Sequence, residues 1–379
     1  MLLDATRLIW RRWKGLHPTG IDRVCLAYLR HFGGRAQAVV QHRLVRRILG
    51  PDASRELFDL LDGPPQEFRR RLAPAVFRNL GDLGHGGGER LYLNIGHTGL
   101  NSPGFRDWVS RAGVRSIYFV HDLIPITHPQ LCRAGEALKH RERMRTVLAT
   151  ATGVIGNSKA TLEELANFGR AEDIHLPSST AAWLGSDELP SAIATNTAEH
   201  PTFVVLGTIE ARKNHILLLD IWSKMIDALG DQAPHLLIIG RRGWEAEPVF
   251  ELLDRSAKLR NHVTELNSCS DDELARHLAS ARALLFPSLA EGYGLPLVEA
   301  LAAGVPVIAS DLPALREIGA GIPLYLDPLD SAGWQAAILH YAQPDGGARE
   351  GQIARMYGFR TPDWNSHFDK VETWLESLS

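Results

Sequence analysis

Short apolar runs alternate along the chain with longer stretches of mixed apolar and polar residues. The runs are LYLNIG (91–96), SIYFVHD (116–122), GVIGNS (153–158), TFVVLGT (202–208), HLLIIG (235–240), ALLFPS (283–288) and VPVIAS (305–310). Each ends in Gly, Thr, Ser or Asp, and helix-like sequence follows. Continuous rather than alternating apolarity over four to six positions predicts parallel strands buried on both faces, joined by crossover helices. The segment 184–201, LGSDELPSAIATNTAEHP, breaks the pattern: it is polar, holds two prolines and lacks apolar periodicity. It is the expected linker. An α/β chain of two doubly wound domains facing a cleft follows, with domains at 1–183 and 202–360. At the end, TPDWNSHFDKVETWLESLS (361–379) places Trp364, Phe368, Val371 and Leu375 on one side of a helix expected to pack back on the first domain.

Length and composition agree with this reading, since 379 residues at 45% hydrophobic content suffice for two ordinary domains. The charge is uneven. Residues 1–180 hold 26 Lys and Arg against 17 Asp and Glu, and residues 181–379 hold 15 against 27. A basic first half suits an anionic surface or acidic acceptor, and solvated arginines on helices are the equally good alternative. Nothing resembles a nucleic-acid-binding signature. Three scattered cysteines (Cys25, Cys132, Cys269) argue against a disulfide framework or structural zinc and fit a reducing compartment. The N-terminus is too interrupted by charge for a signal peptide, and no run approaches the ~20 apolar residues of a membrane span. A cytoplasmic protein is expected, with peripheral attachment to the inner face of the plasma membrane as a further option.

Four stretches carry candidate chemistry. In EGYGLPLVE (291–299), Pro296 suits the first turn of a helix and Gly304 its end. Glu291 then lies on the loop beyond a strand, and Glu299 about one turn into the helix. Between them the glycine loop aims backbone N–H groups and a helix start at one spot, a seat for an anion. In VVLGTIEARKNH (204–215), a strand ends at Gly207, and Arg212 and Lys213 follow. Adjacent Arg and Lys beyond a strand end can chelate a diphosphate, although most such pairs are surface charges. His121 in HDLIP (121–125) lies past another strand end, placed to meet a sugar or phosphate oxygen or to serve as a structural hydrogen-bonder. HPTGIDRV (17–24) is a turn opening a helix, a phosphate seat or a simple cap.

Together these stretches resemble the retaining GT-B glycosyltransferases, family 4 and its bacterial mannosyltransferases in particular. FPSLAEGYGLPLVEALAAGVPVIASDLPALREIGAG (286–321) and LGTIEARKN (206–214) carry the resemblance closely, and PTGIDR and HDLIP more loosely. It implies two Rossmann-like domains, the second binding a nucleotide-sugar donor and the first the acceptor. Glu299 would hold the ribose, and Arg212 and Lys213 the departing diphosphate beyond Gly207. Glu291 would grip the hexose, and the backbone from Gly292 through Tyr293, Gly294 and Leu295 would bind sugar and phosphate oxygens. Gly20 would approach the β-phosphate, with Thr19 standing where the family often has another glycine. His121 would lie near the reacting centre or the hexose C6 hydroxyl.

The resemblance also points to GDP-mannose as donor, with UDP- and dTDP-sugars as alternatives, and to a saccharide or lipid-linked acceptor in surface-polysaccharide assembly. Base choice is expected around TELNSCSDDEL (264–274). No Asp-x-Asp occurs, so no metal and no cofactor are expected, the two cations and a helix start meeting the charge that develops on the leaving group. Retention leaves two routes open, a carboxylate nucleophile such as Glu291 or, preferred, same-face attack within an ion pair. A related sugar-nucleotide epimerase or phosphorylase and a non-catalytic nucleotide-sugar-binding subunit are the competing readings. The segment RLIWRRWKGLHPTG (7–20) reads as an aromatic and basic loop, for an acceptor or lipid headgroups, or else as a partly buried one.

Overall fold

The computed structural model describes residues 1–16, 18–42, 45–78, 88–186, 190, 200–344 and 347–378. Of the expected linker, residues 187–189 and 191–199 lie outside the described residues. The chain divides into two compact units. The first comprises Met1–Ile126, Ala137–Leu184 and Trp364–Ser379, the second Thr127–Glu136 and Gly185–Asp363. The short segment Thr127–Glu136 thus groups with the second unit and not with its sequence neighbours; within that unit the Arg133 guanidinium lies 4.7 Å over the Trp244 ring.

In the first unit the strands are β1 (Leu2–Asp4), β2 (Gln37–His42), β3 (Val45–Ile48), β4 (Leu91–Asn94), β5 (Arg115–Val120), β6 (Ala151–Gly156) and β7 (Ser178–Ala181). They form one sheet in the order β3-β2-β1-β4-β5-β6-β7. All pairings are parallel except β2 with β3, where Val39 faces Ile48 and Gln41 faces Arg46. The outer strand reads VRRI, and its arginines suit an edge that must not recruit another strand. The second unit holds β8 (Thr202–Leu206), β9 (His235–Ile239), β10 (Val263–Leu266), β11 (Ala283–Phe286), β12 (Val307–Ser310) and β13 (Leu324–Leu326). Its sheet is parallel throughout, in the order β10-β9-β8-β11-β12-β13.

Both units are Rossmann-like, as the sequence pattern predicts. In each, strand order reverses once, between β1 and β4 and between β8 and β11. Chains leave such neighbours in opposite directions, so the loops beyond their carboxyl ends part and leave room for a ligand.

Each unit has its own core. In the second, Phe203, Val205, Trp222, Leu285, Trp334 and Ile338 pack between sheet and helices, and the indoles keep their N–H groups bonded, Trp222 to Pro234 O (2.8 Å) and Trp334 to Asp327 O (3.0 Å). In the first, the C-terminal helix Trp364–Ser377 buries His367, Phe368, Val371 and Leu375, and the rings of His367 and Phe368 pack on Tyr28, Phe32 and Phe119. Its His367 bridges two elements. Nδ1 donates to Trp183 O (2.8 Å), so Nε2 accepts from the Tyr28 hydroxyl (2.9 Å).

The segment 7–20 corrects one expectation. It is no loop over its first half, because Thr6–Trp13 is a helix with Leu8 as its buried contact. Trp10 and Trp13 are 51% and 52% exposed, and Lys14 and Arg69 sit over their rings at 4.6 and 5.8 Å.

Candidate functional site

The reversal point of the second sheet gathers most of the residues singled out by sequence. Beyond β8 the backbone turns at Gly207, whose φ of 129° is a left-handed value that a side chain resists. A short 3₁₀ turn, Ala211–Lys213, follows, and Asn214 in the left-handed region (φ 56°) opens the helix His215–Leu229. Beyond β11 comes Glu291. The two loops meet in backbone and side chain. Leu289 N–H donates to Arg212 O at 2.7 Å. Lys213 Nζ lies 2.6 Å from Glu291 Oε1, and an Arg212 terminal nitrogen 2.9 Å from Oε2. The other side of the Arg212 guanidinium is held by Glu210, Nε to Oε1 at 2.6 Å.

Two cations and two carboxylates are thus packed together, and Lys213, Glu210 and Glu291 are buried or nearly so. Burial alone would push the Glu291 carboxyl up, but Arg212 and Lys213 outweigh it and hold it at about 2. Burial pushes Glu210 up, against the pull of the same two cations. It pulls Lys213 down, with Glu291 opposing. The Lys213 ammonium also sits 4.6 Å over the Phe286 ring.

Sequence reasoning missed Glu210 and His215. The latter is 1% exposed, and neither ring nitrogen has a hydrogen-bond partner. Burial, with Lys213 nearby, drives it down to about 3, so it is a neutral imidazole.

Across this cluster the glycine loop leads into the helix Leu295–Ala302, with Pro296 in its first turn and Gly304 just past its end at φ 74°. Gly294 caps the helix at φ 121°, and a Cβ there would lie 2.6 Å from Leu315 Cδ2. Packing and backbone alone therefore require this glycine, whatever it binds. Tyr293 is buried, Gly292 and Leu295 partly so, and Glu299 is half-buried in the second turn. Glu291, Arg212, Lys213, Gly207 and the start of the Leu295–Ala302 helix come together in one unit. Gly20 and His121 belong to the other.

In the first unit, Gly20 is the first residue of the helix Gly20–Phe32 and is exposed. The cap before it is already engaged, because Asp22 Oδ2 accepts from the Thr19 amide (2.7 Å) and hydroxyl (2.8 Å). Asp22 in turn takes Arg7 at 2.7 Å and Arg11 at 2.8 Å. His121, just beyond β5, is buried and donates Nε2–H to Ile95 O at 2.7 Å. Burial, against that hydrogen bond, holds it at about 4. It is therefore neutral near pH 7, with Nδ1 left as an acceptor. Two histidines missed in the sequence lie alongside, His97 5.3 Å from His121 and His140 5.7 Å from His97, each with Nε2 on a backbone carbonyl. Asn157, beyond β6, donates to His121 O at 2.8 Å, and its own Oδ1 has no partner.

Residues 191–320 match the family model described as glycosyl transferases group 1. The matched segment contains the whole second-unit cluster. Among related sequences, the serotype-specific mannosyltransferase WbdA of Escherichia coli is 29% identical over 231 residues, covering 56% of this chain and 28% of WbdA. The O-antigen chain mannosyltransferase RfbU of Salmonella typhimurium is 39% identical over 177 residues, 46% of each chain. A phosphatidyl-myo-inositol mannosyltransferase of Mycolicibacterium smegmatis is 34% identical over 188 residues, 45% of this chain and 47% of that one. The chain therefore spans less than half the length of these relatives. Among solved structures, Anabaena Alr3699/HepE in complex with UDP-glucose superposes with a TM-score of 0.68 at 16% identity, over 99% of both chains. Sucrose-phosphate synthase from Thermosynechococcus elongatus gives 0.63 at 18%, over 100% of this chain and 99% of that one. The shared feature is the fold, two Rossmann-like α/β domains of the GT-B kind.

Proposed function

We propose that this protein is a retaining, metal-independent hexosyltransferase of family 4 that moves mannose from GDP-mannose to a saccharide or lipid-linked oligosaccharide in surface-polysaccharide synthesis. One observation carries the reading: Arg212 and Lys213 converge with Glu291 at the reversal point of the second sheet, inside the segment that matches the group 1 glycosyl transferases. A donor's pyrophosphate would lie on the two cations and the start of the Leu295–Ala302 helix. Its ribose would lie on Glu299 and its hexose on Glu291, with backbone groups of Gly292, Tyr293, Gly294 and Leu295 completing the seat beside Gly207. As the glycosyl–phosphate bond breaks, negative charge grows on the diphosphate, and groups already fixed in place stabilise it without reorganising. In this proposal those groups do the work often given to a divalent ion.

For the first unit we propose acceptor recognition. The neutral His121 is the group it offers, through an Nδ1 that accepts a hydroxyl hydrogen. A basic, tryptophan-bearing helix at Thr6–Trp13 suits a lipid-linked acceptor at an anionic membrane surface. Among the described residues no helix is long and apolar enough to cross a membrane.

Mannose is favoured by the mannosyltransferase relatives. A UDP-sugar donor is the second reading, favoured by the HepE structures that hold UDP and UDP-glucose. A metal-free thermal-shift panel separates them, because a ligand bound only by the folded state raises the melting temperature by mass action. GDP-mannose should stabilise the wild type and fail to stabilise Glu299→Ala. A shift with UDP-glucose alone reassigns the donor. No shift with any nucleotide sugar overturns the proposal, and a shift without sugar transfer to any acceptor extract leaves a binding subunit instead.

A further inference from the structure

The pyrophosphate seat proposed above already holds an anion. Glu291 presents both carboxylate oxygens to it, one to Lys213 at 2.6 Å and one to Arg212 at 2.9 Å, much as two phosphate oxygens would. The pair spans the loops beyond β8 and β11, the strands that flank the reversal point. Glu210 stands on the far side of Arg212, 2.6 Å from Nε. Arg212 therefore stays anchored when its other partner changes. The four charges sum to zero, so an incoming diphosphate meets no surplus of positive charge while Glu291 remains.

Glu291 is itself buried, and a buried carboxylate gives up two cationic partners only if others replace them. Hexose hydroxyls are such replacements, and a nucleoside diphosphate carries no hexose. We infer, on the nucleotide-sugar reading above, that Glu291 is an internal occupant of the pyrophosphate seat, displaced by a complete donor and returning once the sugar has left. The exchange has two consequences. Donor is preferred over nucleoside diphosphate although the free diphosphate carries the greater negative charge. After transfer, the carboxylate loses its hydroxyl partners and competes the leaving diphosphate off the cations, which speeds product release.

Calorimetric titration with inorganic pyrophosphate, GDP and GDP-mannose tests this on wild type and Glu291→Gln, which keeps shape and removes charge. Close charge pairs couple strongly enough that Glu291→Gln should bind pyrophosphate and GDP on the order of tenfold more tightly than wild type. The preference for GDP-mannose over GDP should fall by a similar factor. A folded Glu291→Gln that binds pyrophosphate no more tightly than wild type overturns the inference. Should that variant melt too low to titrate, Glu291→Asp draws the carboxyl back by one methylene and should tighten pyrophosphate less, but in the same direction; no tightening again overturns it. Pyrophosphate binding separates this inference from the donor assignment. If wild type takes pyrophosphate but no nucleotide sugar, the donor reading fails, while the comparison between the two proteins still decides whether Glu291 occupies the seat.

Discussion

Replacing Lys213 by methionine keeps a long unbranched side chain and deletes one of two positive charges from a buried group of four. The structure sets the size of the effect. Glu291 sits at about 2 where an ordinary carboxyl would sit at 4.5, so at neutral pH its surroundings favour the ionised form by about 3 kcal/mol. That preference survives the opposing effect of burial, and Arg212 and Lys213 supply it between them. Losing Lys213 should therefore cost roughly 2 kcal/mol, because Arg212 alone must then serve both Glu210 and Glu291. The pH dependence has a definite sign. The folded value of Glu291 lies below the unfolded one, so its contribution is complete above about 4.5 and is lost as pH falls toward 2. The deficit of Lys213→Met against wild type should accordingly be full at pH 7 and shrink by pH 3. In the double variant Lys213→Met, Glu291→Gln the orphaned charge is gone. Urea unfolding of wild type, both single variants and the double variant should show a non-additive recovery of about 1 kcal/mol or more. Strictly additive losses, or a Lys213→Met deficit unchanged between pH 7 and pH 3, would refute the claim that these groups form one electrostatic unit.

Two further substitutions probe the neighbourhood. Gly294→Ala must adopt φ near 121° and press its methyl on Leu315, so it should lower stability by about 1–3 kcal/mol by calorimetry; a neutral result would mean the loop relaxes freely. His215→Leu should leave melting unchanged or raised, since both ring nitrogens are buried without partners; a loss above about 1 kcal/mol would show that they are bonded.

The second unit was the more legible in the sequence because its chemistry lies where strand and helix signals are strongest. The runs TFVVL and ALLF are buried at nearly every position, and Gly294, Pro296 and Gly304 mark a helix start and stop by backbone geometry alone. Strands β2, β3, β7, β10 and β13 are not among the apolar runs, because QAVVQH, VRRI, SSTA and VTEL hold too few consecutive apolar residues and LYL is three residues long. The helix Thr6–Trp13 reads as a loop in the sequence because its charges hide a single buried leucine. Pairing was beyond reach: Lys213 and Glu291 are 78 positions apart, and nothing local says that the acid expected to hold sugar would be found on the cations. Nor does sequence distinguish a His121 bound through Nε2 to a carbonyl from one free to donate.

The C-terminal helix has a consequence for biosynthesis. Residues 364–377 complete the aromatic cluster around Tyr28, yet they are translated after the entire second unit. During synthesis the first unit must wait, its Tyr28 and Phe119 lacking their covering helix, while the later unit can close on its own. A premature stop upstream of Trp364 would thus injure the beginning of the protein more than the part beside the break.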